Sequence, residues 1–415
     1  MRKVVIAVDS FKGSLSSRQV AEAAAAAVRE VFPACETVCL DVADGGEGTL
    51  EALCGAAGCR LAGEASPGTS GAVRIPLTVQ GPLGAPVVAE YAVMAQGTAV
   101  IEMARASGLT LVPPELRNPL NTSSFGTGEL IADALRRGCR SCIIGLGGSA
   151  TNDAGTGMLA ALGWRFLDRD GHALPPVGAS LGAIVSIDDS RVPASLRPGV
   201  GQAGCGADRC RFTVACDVDT PFCGPDGAAA VFAPQKGADA AAVERLEAGM
   251  QSFATVIAQF TGVDVRRMPG AGAAGGLGGA FAAFLGAALT PGAGLVLDAA
   301  GFGEALSGAD LVITGEGRLD AQTARGKLPF QVLRRAAALG IPTLAIAGQL
   351  GPGAAGMASA VQDTPADAAG MVPDGPAPRF SAVLCVTPEG MPLETAMRPD
   401  VAQRNIREAL RRFLS

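Results

Sequence analysis

Cys142-Ile143-Ile144-Gly145-Leu146-Gly147-Gly148-Ser149-Ala150-Thr151-Asn152-Asp153-Ala154-Gly155-Thr156-Gly157-Met158-Leu159-Ala160-Ala161-Leu162 is the stretch on which the fold turns. Its apolar start has the length of a buried strand, and Met158–Leu162 reads as a helix. Between them lies a glycine-rich turn. Strand, glycine turn and helix start together make a place for an anion. Glycines let a ligand approach the backbone, and the first helical N–H groups lack intrahelical acceptors. Ser149, Thr151 and Asn152 add short side chains that can bond a phosphate, a carboxylate or each other. An ordinary turn capped by Ser, Asn or Asp has the same appearance. Other stretches must decide between the two.

Upstream, Lys3–Val8 reads as a strand ending in Asp9-Ser10-Phe11-Lys12-Gly13-Ser14. Ser16 and Gln19 then form a capping-box pattern for a helix running to about Val31. Residues 37–42 give a second strand, followed by Asp44-Gly45-Gly46-Glu47-Gly48-Thr49 and another helix. This βαβα rhythm predicts a parallel sheet with helices on its faces, which binds ligands at the carboxyl ends of its strands. Val87–Val93 and Thr98–Met103 read as a pair of β-runs, and 122–129 opens a helix that Gly138 closes. Downstream come a strand at 211–216, an amphipathic helix over 240–261 ended by Gly262, and an Ala-rich packed helix within 273–289. The α/β rhythm returns near 290. A strand over Ala309–Thr314 ends in Gly315-Glu316-Gly317-Arg318-Leu319-Asp320, strands follow at Thr343–Ala347 and Ala382–Val386, and 399–414 is a closing helix. The stretch 351–379 reads as a long exposed loop. The pattern predicts one doubly wound α/β domain built from both chain ends, 1–62 and 288–415, with a second α/β domain inserted over 63–287.

Composition excludes several classes of function. With 33 basic and 39 acidic residues the chain carries −6, unlike a nucleic-acid or anionic-membrane binder, and one Trp and one Tyr leave little for base stacking. No apolar run has the length of a membrane span, and the run after Met1 is too short for a signal peptide. The eleven cysteines, odd in number and without zinc-ribbon spacing, read as buried hydrophobes or free thiols, so a cytoplasmic location is expected.

The only histidine, His172, lies in a polar turn, leaving a Ser–His–Asp or Cys–His mechanism little to draw on. Neither a Walker A pattern nor a GxGxxG after the first strand is present. Polar glycine loops at strand ends offer instead the carboxylates Asp9, Asp44, Glu47, Asp153, Asp217, Asp219, Glu316 and Asp320. Lys12, Lys236, Arg318 and Lys327 offer cations. That inventory suits phosphoryl transfer, in which a protein mainly positions groups while a metal neutralises charge.

The residues also carry a resemblance. Asp9-Ser10-Phe11-Lys12-Gly13-Ser14-Leu15-Ser16, Ala43-Asp44-Gly45-Gly46-Glu47-Gly48-Thr49, Ser124-Phe125-Gly126-Thr127-Gly128-Glu129-Leu130 and Gly147–Asp153 resemble motifs of the bacterial class-I glycerate kinases. So do Ala215-Cys216-Asp217-Val218, Pro234-Gln235-Lys236-Gly237-Ala238, Pro269–Gly276 and Ile313–Asp320, in family order over nearly the whole chain. The resemblance implies ATP- and Mg²⁺-dependent phosphorylation of D-glycerate to 2-phosphoglycerate on a fold with a Rossmann-like (flavodoxin-like) part, and it leaves a homodimer open. One departure stands out. Asp217-Val218-Asp219-Thr220-Pro221-Phe222 replaces a frequent Asp-Val-x-Asn-Pro-Leu, losing an amide and gaining a carboxylate.

Within that scheme Ser10, Asp44, Glu47, Gly147, Gly148, Ser149, Thr151, Asn152, Asp153, Gly272, Gly275, Gly276 and Arg318 are expected to hold substrate or phosphate. Lys12 and Lys236 are expected to balance its charge. Asp217 is the expected base, with Asp44 or Asp153 as alternatives, and Glu316 with Asp320 the expected Mg²⁺ ligands. A kinase of another small hydroxy acid, or a non-catalytic anion sensor, would share many of these features.

Overall fold

The computed structural model describes residues 1–46, 48–57, 60–61, 72–94, 97–197, 209–321, 323, 327–357 and 378–415. The chain divides into two compact units. The first comprises Met1–Asp44, Glu51–Ala56 and Pro291–Ser415; the second comprises Gly45–Leu50 and Ala57–Thr290.

The first unit is built on a five-stranded parallel sheet. Its strands are ordered Ala382–Cys385, Thr343–Leu350, Leu311–Leu319, Lys3–Val8 and Glu36–Cys39. Successive side chains of a strand point to opposite faces, and both faces are covered. Val4, Ile6 and Val8 join a core with Val20, Ala24 and Val28 of the helix Ser17–Val31 and Ile406 and Leu410 of the helix Pro399–Leu414. Val5 and Ala7 join another with Val296 and Leu297 of Gly292–Ala299 and Val332 and Ala336 of Leu328–Ala337. A strand buried on both sides has to be apolar at every position, as Val4–Val8 is. The expected capping box is present, with Gln19 N–H donating to Ser16 Oγ and Ser16 N–H to Gln19 Oε1.

One boundary differs from the sequence reading. Gly315 to Leu319, expected as a loop, continue the strand Leu311–Leu319, pairing Glu316 with Ala347 and Arg318 with Gln349. The neighbouring strand likewise runs past Ala347 to Leu350. Two glycines in five residues suggested a turn, but the backbone ladder overrides that local preference. Of the stretch 351–379, residues 358–377 lie outside the described residues.

The second unit has a seven-stranded mixed sheet. Its order is Ala288–Thr290, Arg211–Ala215, Ser141–Gly145, Thr98–Glu102, Pro86–Val93, Val73–Gln80 and Arg60–Leu61. The pairs linking Thr98–Glu102 to Pro86–Val93 and Pro86–Val93 to Val73–Gln80 are antiparallel, and the others parallel. The helix Ala240–Thr261 keeps its expected limits: Asp239 caps Ala242 N–H at 2.8 Å, and Gly262 ends it at φ 78°. Leu246, Met250, Phe253 and Ile257 are buried, whereas Phe260 at its end stays 36% exposed and stacks on Phe284.

Candidate active site

In the first unit the ends of the central strands gather charge. Asp9 follows the strand Lys3–Val8 directly, is 5% exposed, and accepts Ser10 N–H at 2.7 Å. Burial, reinforced by the negative charges of Asp44 and Glu316 and opposed by Lys12, pushes its carboxyl up to about 7. Lys12 is exposed and pairs with half-buried Asp44 at 3.5 Å, and Asp44 holds the lysine above its ordinary value. Glu316, buried within its strand, accepts Thr323 Oγ1–H and Lys327 Nζ–H, the latter at 3.2 Å. Burial raises its carboxyl against the pull of those two donors.

Thr323 also accepts Asp320 N–H at 3.1 Å, which ties Asp320 to Glu316 through one fully buried hydroxyl. Arg318 is exposed and lies 3.6 Å from Asp320. Asp9, Ser10, Lys12, Glu316, Arg318 and Lys327 all border a cavity of about 340 Å³ at this end of the sheet. The expected set of Ser10, Lys12, Asp44, Arg318, Glu316 and Asp320 therefore belongs to one neighbourhood. Asp9, Lys327 and Thr323 join it. Asp9 has a signal in the sequence, being the first residue past an apolar strand; Thr323 has none.

In the second unit the glycine-rich stretch does something the sequence did not predict. The start of the helix Thr156–Ala161 is already served by an anion from the chain itself. Asp153, fully buried, accepts N–H from Gly155 at 3.0 Å and Gly157 at 3.2 Å, and both N–H and O–H from Ser124. Burial raises its carboxyl while those donors lower it. Met158 N–H goes to Ser124 Oγ at 2.9 Å. These amides are thus spent on an internal cap, and the expectation that they hold a phosphate needs correcting. The physical reason is that a helix start attracts whichever anion is nearest, and here that is a carboxylate from the preceding turn.

Gly272, Gly275 and Gly276 also serve the chain itself. A Cβ on Gly272 would sit 2.2 Å from Pro221 O, one on Gly275 would sit 2.2 Å from Thr151 O, and one on Gly276 would sit 2.9 Å from Ala154 Cα. Gly275 and Gly276 have φ of 69° and 94°, and Gly275 O accepts Ala154 N–H. They let one backbone press against another: Gly272 against Pro221, and Gly275 and Gly276 against the 151–154 turn, rather than cradling a ligand.

Lys236 packs against that turn and is 2% exposed. It donates to Ser149 Oγ at 2.8 Å and to Thr151 O at 2.7 Å. Burial presses its amine down to about 7, against the upward pull of Asp153. Thr151 Oγ1 and Asn152 Oδ1 are buried without a hydrogen-bond partner among the described residues, and Asn152 Nδ2 reaches only Met250 Sδ. Gly147 is half-buried and Gly148 exposed at φ 75°. Asp217 stands half-buried just past the strand Arg211–Ala215, with Asp219 exposed beyond it. Glu47 lies outside the described residues. His172 is exposed in its turn, its N–H bonded to Asp168.

Strand-end carboxylates, lysines that balance them and a histidine-free site are the equipment of an α/β phosphotransferase. Comparison with known proteins narrows the class. Residues 4–413 match the model of the Glycerate kinase family, and this chain belongs to that family. The glycerate kinase of Bacillus subtilis (strain 168) is 46% identical over 349 residues, 84% of this chain and 85% of that protein. The glycerate 2-kinase of Escherichia coli (strain K12) is 45% identical over the same shares. The crystal structure of a candidate glycerate kinase 2 from Salmonella typhimurium LT2 superposes with a TM-score of 0.77 at 40% identity, covering 100% of this chain and 97% of that one.

Proposed function

We propose that this chain transfers the γ-phosphoryl group of ATP to D-glycerate, giving 2-phosphoglycerate and ADP. Family membership supports the reaction, and the glycerate 2-kinase relative supports the 2-phosphate as product. The observation that carries the reading into this molecule is the cavity bordered by Asp9, Lys12, Glu316, Arg318 and Lys327. It offers cations for phosphate and carboxylate together with carboxylates for a metal or a proton.

We read the first unit as a doubly wound, Rossmann-like domain made from both chain ends, with the other α/β domain inserted over about 63–287. Its strand order, with Lys3–Val8 between Leu311–Leu319 and Glu36–Cys39, is that of flavodoxin-like sheets, whose ligand crevice lies where the order reverses. Asp9 and Glu316 stand at that reversal.

Mg²⁺ fits the residues present. Burial, reinforced by the negative charges of Asp44 and Glu316, raises the Asp9 carboxyl, and this gathering of carboxylates supplies the oxygen donors this cation prefers. Glu316 and Asp320 would hold it, with Asp9 beside them; bound there, the ion would shield the charge of the phosphates. Lys12 and Arg318 orient anionic groups by charge. In the second unit exposed Gly148 and half-buried Gly147 offer backbone to substrate or phosphate, with Ser149, Thr151 and Lys236 buried beside them. Asp217 accepts the hydroxyl proton in this scheme.

A coupled assay of ADP release over a panel of small hydroxy acids tests the reading, followed by NMR of the product. D-glycerate should give the highest kcat/KM and yield the 2-phosphate. Preference for another hydroxy acid would move the proposal to that substrate, and absence of ADP release with every acid would end it.

A further inference from the structure

We propose that Ser149 and Lys236 form a nucleophile–base pair, making Ser149 a site of covalent modification by small sulfonyl- or phosphoryl-type electrophiles, a capacity separate from glycerate phosphorylation. The observation is geometric. Ser149 Oγ and Lys236 Nζ are 2.8 Å apart, and the lysine is sealed from solvent. A serine hydroxyl becomes a nucleophile when a base within hydrogen-bond reach can take its proton. A lysine serves as that base once burial has removed the advantage of its charged form.

Each part of that requirement is met. The second bond of Lys236, to Thr151 O at 2.7 Å, fixes the ammonium end. A neutral amine keeps two N–H groups and one lone pair. One N–H can stay on Thr151 O while the lone pair turns to the Ser149 hydroxyl. The charged group acting on Lys236 is Asp153, whose own carboxylate is taken up by Ser124, Gly155 and Gly157. Ser149 itself is pinned on both sides. Gly148 O accepts Leu109 N–H at 2.8 Å, and Ala150 N–H goes to Ser107 O at 2.9 Å. Ser149 is 8% exposed, so the site admits only a small reagent.

With a sulfonyl fluoride, Ser149 Oγ bonds to sulfur and the S–F bond breaks. Fluoride leaves with the bonding pair, and the hydroxyl proton passes to Lys236 Nζ. A lysine that merely braces the turn would make the same two hydrogen bonds without activating the serine.

The test uses the full chain and phenylmethanesulfonyl fluoride, with peptide mass spectrometry to locate the adduct. It reads labelling rather than turnover, so it stands or falls apart from the kinase reading. One adduct per chain, on Ser149, is expected, its rate rising with pH and levelling above an inflection near 7. Lys236→Met should slow labelling at least 100-fold, and Ser149→Ala should abolish it. Absence of an adduct on Ser149, or labelling of Lys236→Met at the parent rate, overturns the proposal. Should Lys236→Met fail to fold by circular dichroism, the parent's pH profile decides, because a rate still climbing at pH 10 belongs to an unassisted serine.

Discussion

Asp217→Asn is the substitution that most directly tests the assigned base, since it keeps shape and hydrogen bonding while removing charge and basicity. Turnover should fall about 100-fold or more, with little change in thermal stability. Turnover within a few-fold of the parent would shift the role elsewhere, and Asp9 then becomes the better choice, since Asp153 is locked in a helix cap. Lys236 makes a prediction about stability. Its ordinary value is 10.5 and its folded value is about 7, so between those limits the unfolded chain holds more protons than the folded one. Stability from this residue is whole above pH 10.5 and is lost as pH falls toward 7. Relative to Lys236→Met, the parent should therefore lose stability between pH 10 and pH 7, measured by denaturant unfolding. A constant difference would mean the lysine is not desolvated. Asp9, Lys12 and Lys236 stood out in the sequence only as charged residues of polar loops. What Asp153 does was not legible, because an acid before a helix can equally cap the chain or meet a ligand.

Two glycine loops that look alike in sequence predict different outcomes at the level of elements. Gly275 has φ 69° and its missing Cβ would lie 2.2 Å from Thr151 O. Gly275→Ala should cost about 2 kcal/mol or more of stability and lower the melting temperature. Gly148 also has positive φ, but the nearest atom to its missing Cβ is Ala104 Cβ at 3.3 Å. Gly148→Val should strain the φ 75° backbone and lower the melting temperature, though less than a backbone clash would, and should weaken ligand binding, read by isothermal titration with ATP and with glycerate. Unchanged affinity for both would make that turn a connector only. Helix ends were among the most legible elements, since Ser16 with Gln19 announces one start and Gly262 one end within a few residues. The far end of Leu311–Leu319 was the least, for its length is set by the ladder to Thr343–Leu350.

For the whole molecule, chelation gives the simplest check on the metal. Removing Mg²⁺ with EDTA should abolish phosphoryl transfer, and added Mg²⁺ should restore it. Glu316→Gln should raise the Mg²⁺ concentration needed for half-maximal rate, whereas activity that survives chelation would remove the metal from the scheme. By itself the sequence determined the α/β class, the helices and strands whose periodicity and caps are local, and, through motifs spread from Asp9 to Asp320, the family. Tertiary structure alone decided how those motifs are used. Lys236 meets Ser149 across 87 residues and Thr151 across 85, and Leu50 N–H meets Glu102 across 52. Burial and pairing at such separations set the charge a lysine carries, the anion a helix start receives and the backbone a glycine must admit. A local window of sequence holds only one partner of each pair, and the free energy belongs to the contact between them.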